Sequence, residues 1–248
     1  MPRIRIPQSQ TNKISDSFLM TKRIHLTRQF EVFNTLVNIE QAHIYHLQND
    51  KEFIGEIYEQ DTFGKHIYRQ FTRLTRPFEL NMHVNSSHYR IHRPFSFINS
   101  RVTVSNNSAD IGKVHSHWHI IRRRYDLFQL EDGYRQFGRI DTGFWSWDFV
   151  IKDENNQPVC FINRYFRGIF KEMLTDQGRY EITFEDPLIT KPLNFQQRLI
   201  ALSCAIGIDY DYFSKHSGMF GPNIQLRRQR ELPETSNVKS VNVSDRFR

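Results

Sequence analysis

Two side-chain constellations in this chain could do chemistry. "HSHWH" puts His115, His117 and His119 at alternate positions, one face of a strand. Imidazoles in that spacing suit zinc or copper, and they equally suit the polar face of a strand whose other face holds Val114, Trp118 and Ile120. Arg122, Arg123 and Arg124 precede Tyr125, and Arg164, Arg167 and Lys171 follow at a distance. Together these six cations could form a phosphate-binding patch, or a solvated charged face. Trp145 and Trp147 of "GFWSWDF" fall on one face, which serves either core packing or an interfacial aromatic belt. The chain contains no nucleophile elbow, P-loop, dinucleotide fingerprint or metalloprotease signature. Covalent and phosphoryl chemistry have no anchor, so an enzyme is not expected.

The elements that must position these groups are mostly strands. Between residues 40 and 195 the sequence runs in short segments of period-2 alternation, broken by Asn, Asp and Gly. "HIYHLQNDKEFIGEIYEQ" turns at Asn49-Asp50, and "DFVIKDENNQPVCFI" turns across Asp153 to Gln157. A short repeat recurs as Phe53-Ile54-Gly55-Glu56-Ile57, Asp110-Ile111-Gly112-Lys113-Val114 and Gln136-Phe137-Gly138-Arg139-Ile140. "PVCFI" at 158–162 repeats it with Cys160 in the glycine position. Such hairpins suggest one antiparallel sheet that curls where glycine allows, and a β-sandwich accommodates the same spacing.

A helix follows at about 194–215. Asn194 is its N-cap, Lys215 and His216 lie near its end, and Gly218 stops it. Leu199, Ile200, Leu202, Cys204, Ile206 and Ile208 make it apolar all round, so it must be enclosed by protein or lipid. The unbroken apolar run, Leu199 to Ile208, is ten residues, about half the ~20 that span a bilayer. Extending it would draw in Arg198, Asp209 and Asp211, each at about 2.5–3.5 kcal/mol. The physics predicts a helix enclosed by protein, inside the curled sheet.

The formal charge is +7. Residues 1–29 carry six Lys/Arg against one acid, and residues 218–248 six against three. The excess therefore sits in two basic ends, read as flexible tails or as tethers to anionic lipid. With a near-neutral middle and no recognition helix, nucleic acid is not an expected partner. Two cysteines, Cys160 and Cys204, point to a reducing compartment. Residues 1–15 hold Arg3, Arg5, Lys13 and no acid, as mitochondrial presequences do, with Pro2 and Pro7 working against the helix.

The motifs in order are "FEVFNTLVNIEQAHIY", "IGEIYEQ", "RQFTRLTRPFELNM", "RIHRPFSFINS", "IGKVHSHWHIIRRRYDLF" and "WDFVIKDENNQPVCFINRYFRGIFKEMLTDQGRY", then the apolar helix. From about Phe30 to Lys215 this series resembles the phospholipid scramblase family, and "EQAHIY", "RRRYDLF" and "MLTDQGRY" are closer to its fungal and mitochondrial-type branch. The resemblance implies a mainly β fold, a closed antiparallel Tubby-like barrel of about twelve strands around a central hydrophobic C-terminal helix. Residues 30–217 would form the barrel domain, between a basic arm at 1–29 and a polar tail at 218–248. It implies transbilayer movement of phospholipids, or phospholipid and phosphoinositide binding by a membrane-docking adaptor, with anionic lipids as partners. The place would be intracellular, on the mitochondrion or the cytoplasmic face of the plasma membrane. Calcium dependence is implied too. The family's loop starts after Thr-Asp with acids at its first, third and twelfth places, which here are Asp176, Gly178 and Pro187. Glu181, Glu185 and Asp186 would have to supply the remaining oxygens. The proline-rich arm and palmitoylated cysteines of other members are missing, so neither adaptor recognition through such an arm nor acyl anchoring is expected.

Overall fold

The computed structural model describes residues 21–29, 44–59, 77–84, 87–107, 109–130, 133–165 and 178–213. Twelve antiparallel strands close into one barrel. They are β1 (Arg23–Gln29), β2 (Ile44–Gln48), β3 (Phe53–Glu59), β4 (Phe78–Val84), β5 (Ser87–Arg93) and β6 (Ser100–Ser105), then β7 (Asp110–His117), β8 (Arg122–Leu130), β9 (Tyr134–Gly143), β10 (Asp148–Lys152), β11 (Pro158–Tyr165) and β12 (Arg179–Thr183). Each pairs with its sequence neighbours, and β1 closes the ring by pairing with β12 as well as β2. A barrel leaves no free sheet edge, and the sandwich alternative is set aside. Closure also corrects the expected arm boundary: residues 23–29 are a wall strand, because Ile24 and Leu26 belong to the core.

The turns form where expected. Asn49 Oδ1 accepts from the amides of Lys51 and Glu52, and Asp153 Oδ1 from those of Asn155 and Gln157. The four-fold repeat marks four register shifts. Ile54, Ile111, Phe137 and Val159 are each skipped in the ladder to the preceding strand, immediately before Gly55, Gly112, Gly138 and Cys160. An extra residue in one strand bends it and increases its twist, which a closing sheet requires. Gly112 has a further reason, since a Cβ there would overlap Ile200 of the central helix and the Phe128 carbonyl.

The helix, α1 (Phe195–Ile208), starts with a capping box between Asn194 and Gln197 and packs mainly on β6, β7 and β8. Every residue from Arg198 to Ile208 is buried, including Leu199, Ile200, Leu202, Cys204, Ile206 and Ile208. After Ile208 it widens into a π-helical turn over Asp209–Phe213. Residues 214–215, assigned to the helix from sequence, lie outside the described residues, as do 218–248. Among the described residues no helix is long and apolar enough to cross a membrane. The outward positions of β1 are Arg23, His25 and Thr27, those of β4 Glu79, Asn81 and His83, and those of β5 His88, Arg90 and His92. A wall immersed in lipid presents an apolar band instead.

Candidate functional site: the barrel end around the helix terminus

In an up-and-down barrel, alternate connections emerge at the same end. α1 starts at one end and finishes at the other, where β5–β6, β7–β8 and β9–β10 are joined. Two features meet there: a polar cage inside and an apolar rim outside.

The cage grips the two carboxylates of the π turn. Asp209 Oδ2 accepts from Arg28 Nη1 and from Tyr45 Oη, both at 2.7 Å, and Asp209 Oδ1 accepts from Tyr180 Oη at 2.8 Å. Asp211 accepts from Arg93 Nη1 at 2.5 Å and from Tyr125 Oη at 2.8 Å. Residues two apart on a helix point to roughly opposite sides. The partners accordingly come from β1, β2 and β12 for Asp209, and from β5 and β8 for Asp211. Burial first, then the neighbouring carboxylate, pushes the phenols of Tyr45, Tyr180 and Tyr125 well above their ordinary range. The phenols therefore remain donors.

Above the cage, guanidinium groups lie on aromatic rings. Arg123 sits 4.2 Å from the Tyr212 centroid and 5.0 Å from Phe213, and Arg164 sits 4.1 Å from Phe213. Trp147 stacks on the same Phe213 at 5.2 Å. The expected patch of six cations is thus divided. Strand alternation sends Arg123 inward, with Arg164 also buried, while Arg122 and Arg124 stay on the outer face, bonded to Asp141. Burial lowers the Arg123 pKa. Arg167 and Lys171 lie outside the described residues.

The histidine row is interrupted because β7 ends at His117. His117 bonds to Asp126 at 2.8 Å, His115 packs its ring on Phe128, and His119 sits in the following loop and accepts from the Ile121 amide. Trp118 and Ile120 are exposed in that loop rather than facing inward beside Val114. Among the acids, Glu181 accepts from Tyr165 on the outside of β12, Glu185 lies 3.9 Å from Lys22, and Asp186 caps the turn to Leu188. Asp176 lies outside the described residues. Among the described residues, no three His, Cys, Asp or Glu side chains come together as metal ligands.

Of the rim, the sequence pointed only to Trp145, one of the pair that could form an interfacial belt. Phe95, Phe97 and Ile98, then Trp118, Ile120 and Ile121, then Phe144 and Trp145 stand exposed on three successive connections. Phe97 and Trp145 are each 85% exposed. The loops are tied together, as the Trp118 amide donates to Asn99 Oδ1 and the Phe144 amide to the Ile121 carbonyl. Phe144 also packs on Tyr212, and a cavity of about 200 Å³ lined by Phe97, Ile98 and Trp118 reaches Asp211. Rim and cage are therefore one unit.

Known proteins give the family. The scramblase family matches residues 1–215. A Saccharomyces cerevisiae protein named for an altered inheritance rate of mitochondria is 33% identical over 247 residues, 84% of this chain and 75% of its own. A phospholipid scramblase family protein of Schizosaccharomyces pombe is 30% identical over 233 residues, 80% of this chain and 61% of its own. No solved structure matches. The chain belongs to the scramblase family, in its fungal branch.

Proposed function

We propose that the protein docks end-on to a phospholipid bilayer and promotes movement of phospholipids between its leaflets, without covalent chemistry. The observation that carries this is the apolar rim. Single exposed apolar side chains, such as Phe53 and Leu188, are ordinary on protein surfaces, but eight on three linked loops at one end of the barrel form a contact face. Trp, Phe and Ile at loop tips suit the boundary between head groups and acyl chains. The basic sequence 218–248 follows the helix that ends here, which favours an anionic surface. The mitochondrial name of the Saccharomyces relative and the basic residues 1–15 support a mitochondrial membrane over the plasma membrane.

A second reading, a lipid-binding adaptor or regulator without transport, is favoured by one observation. The helix and cage fill the barrel interior, where a head group would otherwise need a polar track.

Co-flotation with phosphatidylcholine vesicles containing phosphatidylserine, followed by a leaflet-exposure assay with labelled lipid, separates the two. Flotation that weakens on Ile98→Ser/Trp145→Ser substitution, with lipid exposure, supports the first. Flotation without exposure supports the second, and absence of flotation overturns both.

A further inference from the structure

Among the described residues, the seam between β9 and β10 is the least complete in the barrel wall. β9 holds nine register positions with β8 and β10 holds five with β11, but β9 and β10 share a single rung, Arg139 opposite Lys152. From that rung toward the rim the strands part, Ile140–Gly143 following β8 and Asp148–Ile151 following β11. The gap is a cavity of about 420 Å³, within the range of small-molecule sites.

Its lining is cationic. Arg122, Arg139 and Lys152 line it against one carboxylate, Asp141. Asp141 is already committed, accepting from Arg122 at 2.5 Å and from Arg124 at 3.3 Å. Arg139 donates to the neutral amide of Asn156 at 2.9 Å. Behind the seam lies a fourth cation, Arg123, whose guanidinium reaches the Ser146 carbonyl in the β9–β10 connection and covers the rings of Phe144 and Phe149. Arg123 is 5% exposed and its Nε has no hydrogen-bond partner. A cluster with this surplus of cations and two arginine forks is built for a phosphate oxygen group.

The position distinguishes a lipid from free phosphate. The residues joining the parted strands are Phe144 to Trp147, part of the rim and its Phe213 stack, so an anion in the seam has apolar side chains directly above it. A phosphodiester with acyl chains satisfies both halves. We infer that the seam between β9 and β10 binds the phosphate of a phospholipid head group, an inference that rests on the docking of the rim to a bilayer. It supplies, on the outside of the wall, the polar site that the filled interior lacks.

The test titrates the full chain calorimetrically with monomeric dihexanoyl phosphatidylglycerol, a phosphodiester, and, separately, with inorganic phosphate. Arg139 and Lys152 are exposed, so Arg139→Gln/Lys152→Gln should leave the melting temperature in place. This variant is expected to bind the short-chain lipid about tenfold more weakly. A rim variant that spares the β9–β10 connection, Phe97→Ser/Ile98→Ser, should bind it as the unmodified protein does, because the seam cations and Phe144 to Trp147 are intact. Undiminished affinity in the seam variant overturns the inference. Equal affinity for inorganic phosphate also overturns it and assigns the seam to the free anion. Failure of bilayer docking shows separately, as lost vesicle flotation with the soluble-lipid titration unchanged.

Discussion

The pairing of Asp209 with Arg28 separates a helix held inside the barrel from one that crosses a bilayer, because only the first brings the two groups together. Arg28 is 1% and Asp209 0% exposed, with 2.7 Å between them. Removing one partner of a buried pair leaves an uncompensated charge and costs about 3–5 kcal/mol, whereas removing both is far closer to neutral. Asp209→Asn deletes the charge and keeps one acceptor oxygen, enough for one of the two phenols that now donate to separate oxygens, and Arg28→Met keeps volume and apolar packing. Each single substitution is expected to cost about 3–5 kcal/mol, a large share of the roughly 5–15 kcal/mol that stabilises a domain. The double variant should cost well under the sum, with a coupling of about 2–3 kcal/mol. Urea unfolding followed by circular dichroism measures all four proteins. Single-variant costs that add within about 0.5 kcal/mol would refute the contact. They would place the terminus of α1 somewhere other than against β1.

Three further outcomes follow from the same packing. Gly112→Ala should lower stability by about 1–3 kcal/mol through overlap with Ile200 and the Phe128 carbonyl, and an unchanged urea midpoint would contradict that close approach. Cys160 and Cys204 are buried, and burial pushes both thiols upward, so a thiol reagent should label them only as the protein unfolds; rapid labelling of the native protein would mean the core is open. Tyr45, Tyr125 and Tyr180 stay protonated in the fold while unfolded phenols ionise near pH ~10. The unfolded state therefore binds fewer protons above that pH. Stability should be intact below it and fall as pH rises past it, by up to about 1.4 kcal/mol per pH unit for each phenol. A flat unfolding midpoint between pH 9 and 11 would contradict the buried phenols.

The strands, their turns and the enclosed helix were legible because each is a local pattern. Asn49 and Asp153 name their turns by side-chain chemistry, and the ten-residue apolar run decides the fate of the helix. The cage was legible in part. Arg28 follows Ile24 and Leu26 at the inward period, Arg93 follows Ile91, Arg164 follows Ile162, and Arg123 precedes Tyr125 and Leu127. Alternation carried two residues past the last apolar side chain would have turned each arginine inward. Treating Arg122 to Arg124 as a charge run hid this, since a run has no faces and a strand has two. The repeat of apolar residue and glycine was visible, but a bulge is defined by the partner strand, and its meaning waited on register. Beyond Trp145, the rim was invisible for another reason. "PFSFIN", "WHII" and "FWSW" lie more than twenty residues apart, and only closure of the barrel brings them to one end.

That closure gives the molecule two unlike ends. The connections β2–β3, β6–β7 and β10–β11 at one end are closed by Asn49, Asn106 and Asp153 on nearby amides. The described connections from odd to even strands carry Phe97, Trp118 and Trp145. α1 runs from the polar end to the apolar one, so its negative dipole end and the Asp209 and Asp211 carboxylates all arrive at the rim. An anionic bilayer would repel such an end if nothing offset it. Arg28 and Arg93 neutralise the two carboxylates, and Arg123 and Arg164 add two further cations stacked on Tyr212 and Phe213. Buried arginines that look purely structural thus also set the sign of the field at the rim. The same side chains that hold the helix inside the barrel make its end compatible with an anionic surface.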